Sequence, residues 1–186
     1  MRQADGLYFL GINGDSTVLL VGERQSYTAD ALSRICKSVF VFEPNMQYAD
    51  NQFDAIIIEE SVLDETLVRS LKSGGEIYIA VQKRKSFRFA RNFVLRAGLQ
   101  DVKCFIVLPG HRTPMFFLPL QNIGAMRYFF RNLFYLVATV PPEKRGKYKF
   151  VIGMASVAAK LFPVHFLVFL LRITFLSKII IARKVS

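Results

Sequence analysis

Five short apolar runs between residues 16 and 108 constrain this chain most: Ser16–Val21, Ser38–Phe42 (SVFVF), Phe53–Ile58 (FDAIII), Glu76–Val81 (EIYIAV) and Val102–Leu108 (VKCFIVL). Each has the length of a strand, and FDAIII is continuous enough to be buried on both faces. Helical patterns lie between them. Ala29–Lys37 has Thr28 as its expected N-cap, Leu63–Leu71 is stopped by Ser73-Gly74-Gly75, and Phe87–Arg96 stops at Ala97-Gly98. Strands alternating with helices predict βαβ units and a mostly parallel sheet. In such sheets ligands sit beyond the carboxyl ends of the strands. That edge collects the turn Gly22–Ser26, Glu43 after the second run, and Glu59-Glu60 after the third. Asp54 opens the third strand and is expected to be structural.

The rest of the chain has another character. Residues 1–102 hold 12 Lys/Arg and 13 Asp/Glu, whereas residues 103–186 hold 13 Lys/Arg and a single acid, Glu143. Hydrophobic residues make up 52% of the whole, with 18 Phe. A basic and apolar segment points to a membrane surface or anionic lipid rather than to nucleic acid, whose binders are basic without such aliphatic runs. Two helices are expected here, Ile123–Ala138 and Phe150–Leu171. Arg127 and Arg131 share a face of the first at i,i+4, and Lys144, Arg145 and Lys147 fill the basic loop between them. Phe150–Leu171 has the length of a membrane span, but Lys160 and Pro163 interrupt it. Lys178–Lys184 (KIIIARK) reads as a last strand, and rejoining the sheet requires the chain to return to the side it left. Two helices lying in the membrane interface satisfy that condition. A cap on the core and a dimer interface are the alternatives. The expected organisation is a Rossmann-like core over residues 1–109, a basic hydrophobic helical insertion over 110–176, and the final core strand over 177–186.

Cys36 and Cys104 have no metal-ligand spacing, and His111 and His165 stand far apart, so no metal site is expected. The two cysteines are expected to be buried free thiols in a reducing compartment. The N-terminus, MRQADGLYFL, lacks the apolar core of a signal peptide, and the expected location is the cytoplasm, peripheral on the inner face of the cell membrane.

These segments, in this order, resemble class I S-adenosylmethionine-dependent methyltransferases, of a type 11-like, surface-polysaccharide-associated kind. VLLVGERQS resembles their first motif, SVFVFEP the second strand with its closing acid, and FDAIIIEESV the fourth-strand motif. LVRSLKSGGEIYIAV resembles the segment leading into the fifth strand, and ARNFVLRAGLQDVKCFIVLPGHRTPMFFLPL the region that follows it. The first motif departs from the family at three places: Leu20 replaces an acid, and Arg24 and Ser26 replace glycines, so only Gly22 remains. Glu43 to Phe53 is too short for the helix and third strand that normally intervene.

The resemblance implies S-adenosylmethionine held by Gly22 and by Glu43, whose carboxylate would take the ribose hydroxyls. Against that, Glu43 reads as a solvated turn acid before Pro44. The resemblance implies Glu59 as a catalytic group at the transfer site; its residue-level alternative is an acid favoured by a helix N-terminus. His111 and Arg112 would grip the acceptor, or else belong to an ordinary surface loop. Methyl transfer needs little acid–base machinery, because positioning supplies much of the rate. The expected function is a methyltransferase acting on a glycan or lipid-linked sugar at the cytoplasmic membrane. The alternative is a degenerate, non-catalytic homologue acting as a membrane-associated interaction protein, with a protein partner or a second copy.

Overall fold

The computed structural model describes residues 7, 10–23, 26–59, 63–81, 84–108, 116–132, 153, 157, 161–174 and 177–185. They form two compact units, one of residues 1–117 with 176–186 and one of 118–175.

The strands are β1 (Thr17–Val21), β2 (Ser38–Val41), β3 (Phe53–Ile58), β4 (Leu71–Val81), β5 (Gln100–Leu108), β6 (Phe116–Pro119) and β7 (Lys178–Arg183), all in the first unit except the end of β6. The sheet order is β2-β1-β3-β4-β7-β5-β6. β1 runs parallel to β2 and β3, and β3 parallel to β4. β7 is antiparallel to both β4 and β5, so the sheet is mostly but not wholly parallel. The central strands β1 and β3 are almost wholly buried, which is why their sequences do not alternate. Leu20, Ile57, Tyr78 and Ile181 stand side by side across four strands and pack with Leu32 and Phe105 into one core. Helices α1 (Tyr27–Ile35), α2 (Glu65–Ser70) and α3 (Arg84–Arg96) connect the strands.

Three expectations shift. The N-cap of α1 is Ser26, whose hydroxyl accepts from the Ala29 N–H at 3.1 Å, and Thr28 lies inside the first turn. Cys36 follows the helix as its C-cap and is only half-buried, although burial still raises its thiol pKa; Cys104 is buried and free. The Leu71–Gly75 segment is a bulged start to β4 rather than a helix stop. Leu71 pairs with Phe53 and Glu76 with Ala55, so extra residues on β4 are looped out between those rungs. Gly74 takes a φ of +79°, and a Cβ on Gly75 would come within 2.9 Å of the Asp54 and Lys72 carbonyl oxygens. The bulge docks on the end of β7: Gly74 N–H donates to Lys184 O and Lys184 N–H to Gly75 O.

In the second unit α4 (Ile123–Arg131) packs against α5 (Val164–Thr174). Asn122 caps α4, and Met126 and Phe130 are its buried residues. The expected helix over residues 150–171 is broken at Pro163. Leu161 is helical, but α5 begins only at Val164, with the Pro163 carbonyl accepting from the Phe166 and Leu167 N–H groups. Among the described residues no helix is long and apolar enough to cross a membrane.

Candidate functional site

The sheet register puts three of the sequence-predicted residues at one level. Leu20 pairs with Val41 and Val21 with Ile58. Two residues beyond Val41 is Glu43, one beyond Ile58 is Glu59, and between them, just past β1, is Gly22. Glu59 N–H donates to Val21 O at 2.9 Å and Phe42 N–H to Leu20 O at 2.8 Å, so pairing persists to the edge itself. A glycine thus lies between two acids at the carboxyl ends of three adjacent strands.

Glu59 is half-buried against this turn. A Cβ on Gly22 would sit 3.2 Å from one Glu59 carboxylate oxygen. The other oxygen accepts a hydrogen bond from the Thr28 hydroxyl at 2.5 Å. Thr28 was expected to cap its helix. With Ser26 in that role, its hydroxyl instead fixes the carboxylate beside the N-terminal turn of α1, where the helix dipole favours negative charge. Beneath lies Tyr78 of β4, buried among Leu20 and Ile57. Burial raises its phenol pKa, and the negative charge of Glu59 raises it further. Among the described residues its hydroxyl has no hydrogen-bond partner.

Glu43 is exposed and opens a turn in which Met46 N–H donates to Glu43 O at 3.0 Å. Its own N–H donates to the Tyr48 hydroxyl at 2.9 Å. The Tyr48 ring stacks on Phe42 with centroids 6.0 Å apart, and both Tyr48 and Phe40 meet Phe53 edge-on. Residues 42–52 contain no helix or strand, as the spacing from Glu43 to Phe53 requires, and this aromatic cluster occupies the ground instead. Sequence reasoning passed over Phe42 and Tyr48. Their only signal was an aromatic pair flanking the acid and its proline.

At the opposite, amino-terminal edge, Asp54 has the structural place expected of it. Its carboxylate accepts from Thr17 N–H at 2.8 Å and from Lys72 at 2.7 Å. Burial pushes its pKa up, but those hydrogen bonds and the Lys72 charge outweigh it and hold the group below its ordinary value. Glu76 pairs in the same way with Arg183 at 2.7 Å and accepts from Gly11 N–H. Asp15, Lys72, Gly74 and Arg183 help to line a cavity of about 390 Å³ along this edge.

Glu60, His111, Arg112, Lys144, Arg145 and Lys147 lie outside the described residues. Arg127 and Arg131 are both exposed on α4 in the second unit, and neither forms an ion pair among the described residues. No group of His, Cys, Asp or Glu among the described residues could hold a metal ion. Chemically, the carboxyl edge offers acceptors for hydroxyls or positive charge, a glycine that lets a ligand near the backbone, and aromatic faces. It has no nucleophile–base pair among the described residues.

No protein-family model and no curated protein matches the chain. Its structure resembles a chain of the complex between the Haloferax volcanii Trm112 methyltransferase activator and a methyltransferase. The TM-score is 0.51 at 15% identity, covering 99% of this chain and 89% of that one. It also resembles a SAM-dependent methyltransferase from Archaeoglobus fulgidus, with TM-score 0.50 at 16% identity, covering 96% and 89%. The Haemonchus contortus phosphoethanolamine N-methyltransferase 2, in complex with S-adenosyl-L-methionine, aligns at TM-score 0.49 and 12% identity over 97% of this chain and 51% of that one. The chain therefore spans about half the length of that enzyme. The fold is that of class I S-adenosylmethionine-dependent methyltransferases.

Proposed function

We propose that this chain is a methyltransferase-type protein that binds S-adenosylmethionine at the carboxyl edge of β1, β2 and β3. The observation that carries the reading is the level arrangement of Glu43, Gly22 and Glu59 on a sheet of methyltransferase fold. The residues present fit the cofactor's chemistry. Glu43 offers a carboxylate to vicinal hydroxyls, Phe42 and Tyr48 offer aromatic surface to a purine, and Gly22 admits close approach of the backbone. When bound, the cofactor supplies an activated methyl group on a sulfonium. Glu59, beside Gly22, would take up the proton that an acceptor hydroxyl loses on methylation. His111 and Arg112 hold the acceptor, a glycan or lipid-linked sugar met at the cytoplasmic face of a membrane. A partner chain or second copy would close the side left open by the short connection from Glu43 to Phe53.

Calorimetric titration of the full chain with S-adenosylmethionine, beside Glu43→Ala, tests this. Micromolar binding that the variant loses at least tenfold is the expected result. No heat up to millimolar ligand, from protein shown by circular dichroism to be folded, overturns it in favour of a non-catalytic homologue that keeps only the sheet.

A further inference from the structure

Helix α5 is apolar over most of its circumference, His165 and Arg172 being its only charged or titratable residues. Leu167 and Val168 are buried, while Phe166, Phe169 and Leu170 are exposed, Phe169 over 55% of its surface. Phe162 extends the outward stripe, its ring 5.0 Å from that of Phe166, and Leu161 beside it is 70% exposed. A helix this apolar normally buries most of its surface in a protein or a membrane. This one has 11 residues, about 16 Å at 1.5 Å each, roughly half the hydrocarbon thickness of a bilayer. It is too short to cross and too apolar to face water alone.

The charge of its own unit selects the partner. Residues 118–175 carry 8 Lys/Arg against one acid. Within the same unit α4 exposes Arg127, Tyr128 and Arg131, Tyr128 with 70% of its surface uncovered. A second copy would bring the same excess of positive charge against itself. Aromatic residues beside exposed guanidiniums suit the boundary between acyl chains and anionic headgroups. We infer that the outward stripe of Phe162, Phe166, Phe169 and Leu170, with Arg127 and Arg131, is a docking surface for an anionic lipid bilayer, entered to interfacial depth and not spanned. This deepens the proposed membrane location but does not depend on cofactor binding.

The full chain is sedimented with vesicles of phosphatidylcholine alone and of phosphatidylcholine with phosphatidylglycerol, at low and high salt, without cofactor. Binding is expected to the anionic vesicles only and to weaken as salt shortens the screening length. Phe166→Ser with Phe169→Ser, and separately Arg127→Gln with Arg131→Gln, should each lower partition roughly tenfold or more. The unaltered chain needs no mutation to decide the matter: equal binding to both vesicle types, or to neither, overturns the inference. So does light scattering that shows a dimer abolished by the Phe variant, which would assign the stripe to a second copy. S-adenosylmethionine titration of the same samples separates failure here from failure of the cofactor reading.

Discussion

The acids at the two ends of the sheet are held differently. At the amino edge Asp54 and Glu76 each bind a cationic side chain and a backbone N–H, and both ion pairs measure 2.7 Å. At the carboxyl edge Glu59 has a neutral hydroxyl for a partner, and near it lies a buried phenol with no hydrogen bond among the described residues. Charges of the first kind are neutralised by the chain and serve to join the N-terminal segment, β1, β3, β4 and β7. A half-buried carboxylate with no cation among the described residues keeps attraction in reserve for something that arrives from outside. The two glycines sharpen the contrast. Gly75 is closed in by two backbone carbonyls at 2.9 Å, whereas Gly22 meets only the Glu59 side chain, no nearer than 3.2 Å.

Substituting those glycines is the strongest test of the difference. A Cβ at Gly75 would lie 2.9 Å from two carbonyl oxygens and from a Leu71 methyl, none of which can retreat without opening β3–β4 pairing. Gly75→Ala is expected to cost about 2–4 kcal/mol, read as a urea midpoint shift. At Gly22 the nearest atoms are the Glu59 carboxylate oxygen at 3.2 Å and its Cβ at 3.4 Å, so the neighbour has to give by only a few tenths of an ångström, at some cost to the Thr28 hydrogen bond. Gly22→Ala should cost less than about 1 kcal/mol yet weaken cofactor binding at least tenfold. Equal losses of stability at the two sites would erase the distinction between a structural and a ligand-facing edge.

The amino-edge ion pair gives a smaller effect with a pH signature. Asp54→Asn keeps an acceptor for Thr17 N–H but loses the attraction to Lys72, both partners being over a third exposed. After allowance for solvent screening the loss at neutral pH should be about 1 kcal/mol. Because the folded pKa lies below the unfolded one, the wild-type advantage is present above the ordinary aspartate value of about 3.9. It is lost as pH falls through the lowered folded value. Stability curves of the two proteins should therefore converge in acid; a gap that stays constant into acid would mean the carboxylate charge does no stabilising.

How far the sequence reveals these edges depends on the range of the forces involved. The strands were legible because apolar runs such as FDAIII report burial directly, and the level of Gly22, Glu43 and Glu59 followed from strand ends alone. The N-cap was misplaced because Ser26 and Thr28 carry the same short-range signal. The choice between them is made by Glu59, 31 residues away. The Leu71–Gly75 segment reads locally as a helix stop, and only the approach of the Asp54 carbonyl reveals why Gly75 must lack a side chain. β6 carries Pro119, which its place at the edge of the sheet tolerates. The Phe42–Tyr48 stack depends on a turn that brings rings six residues apart together, which no periodicity encodes.

The smallest predicted effect concerns the phenol beneath Glu59. Tyr78 buries its hydroxyl without a partner among the described residues, so the group is desolvated with no return. Tyr78→Phe keeps the ring against Leu20 and Ile57 and should be neutral or stabilising by up to about 0.5 kcal/mol at pH 7. The difference should grow in alkali. The folded phenol's pKa is raised above the unfolded value of about 10, so its contribution is present below that pH and is lost as pH rises past it. The unfolded chain ionises first and pulls the equilibrium toward itself, while the Phe variant escapes that penalty. Urea midpoints of both proteins at neutral pH and above pH 10 check this. A loss of about 1 kcal/mol in the variant at neutral pH would show that the hydroxyl is bonded after all, and that the carboxyl edge is as fully satisfied as the amino edge.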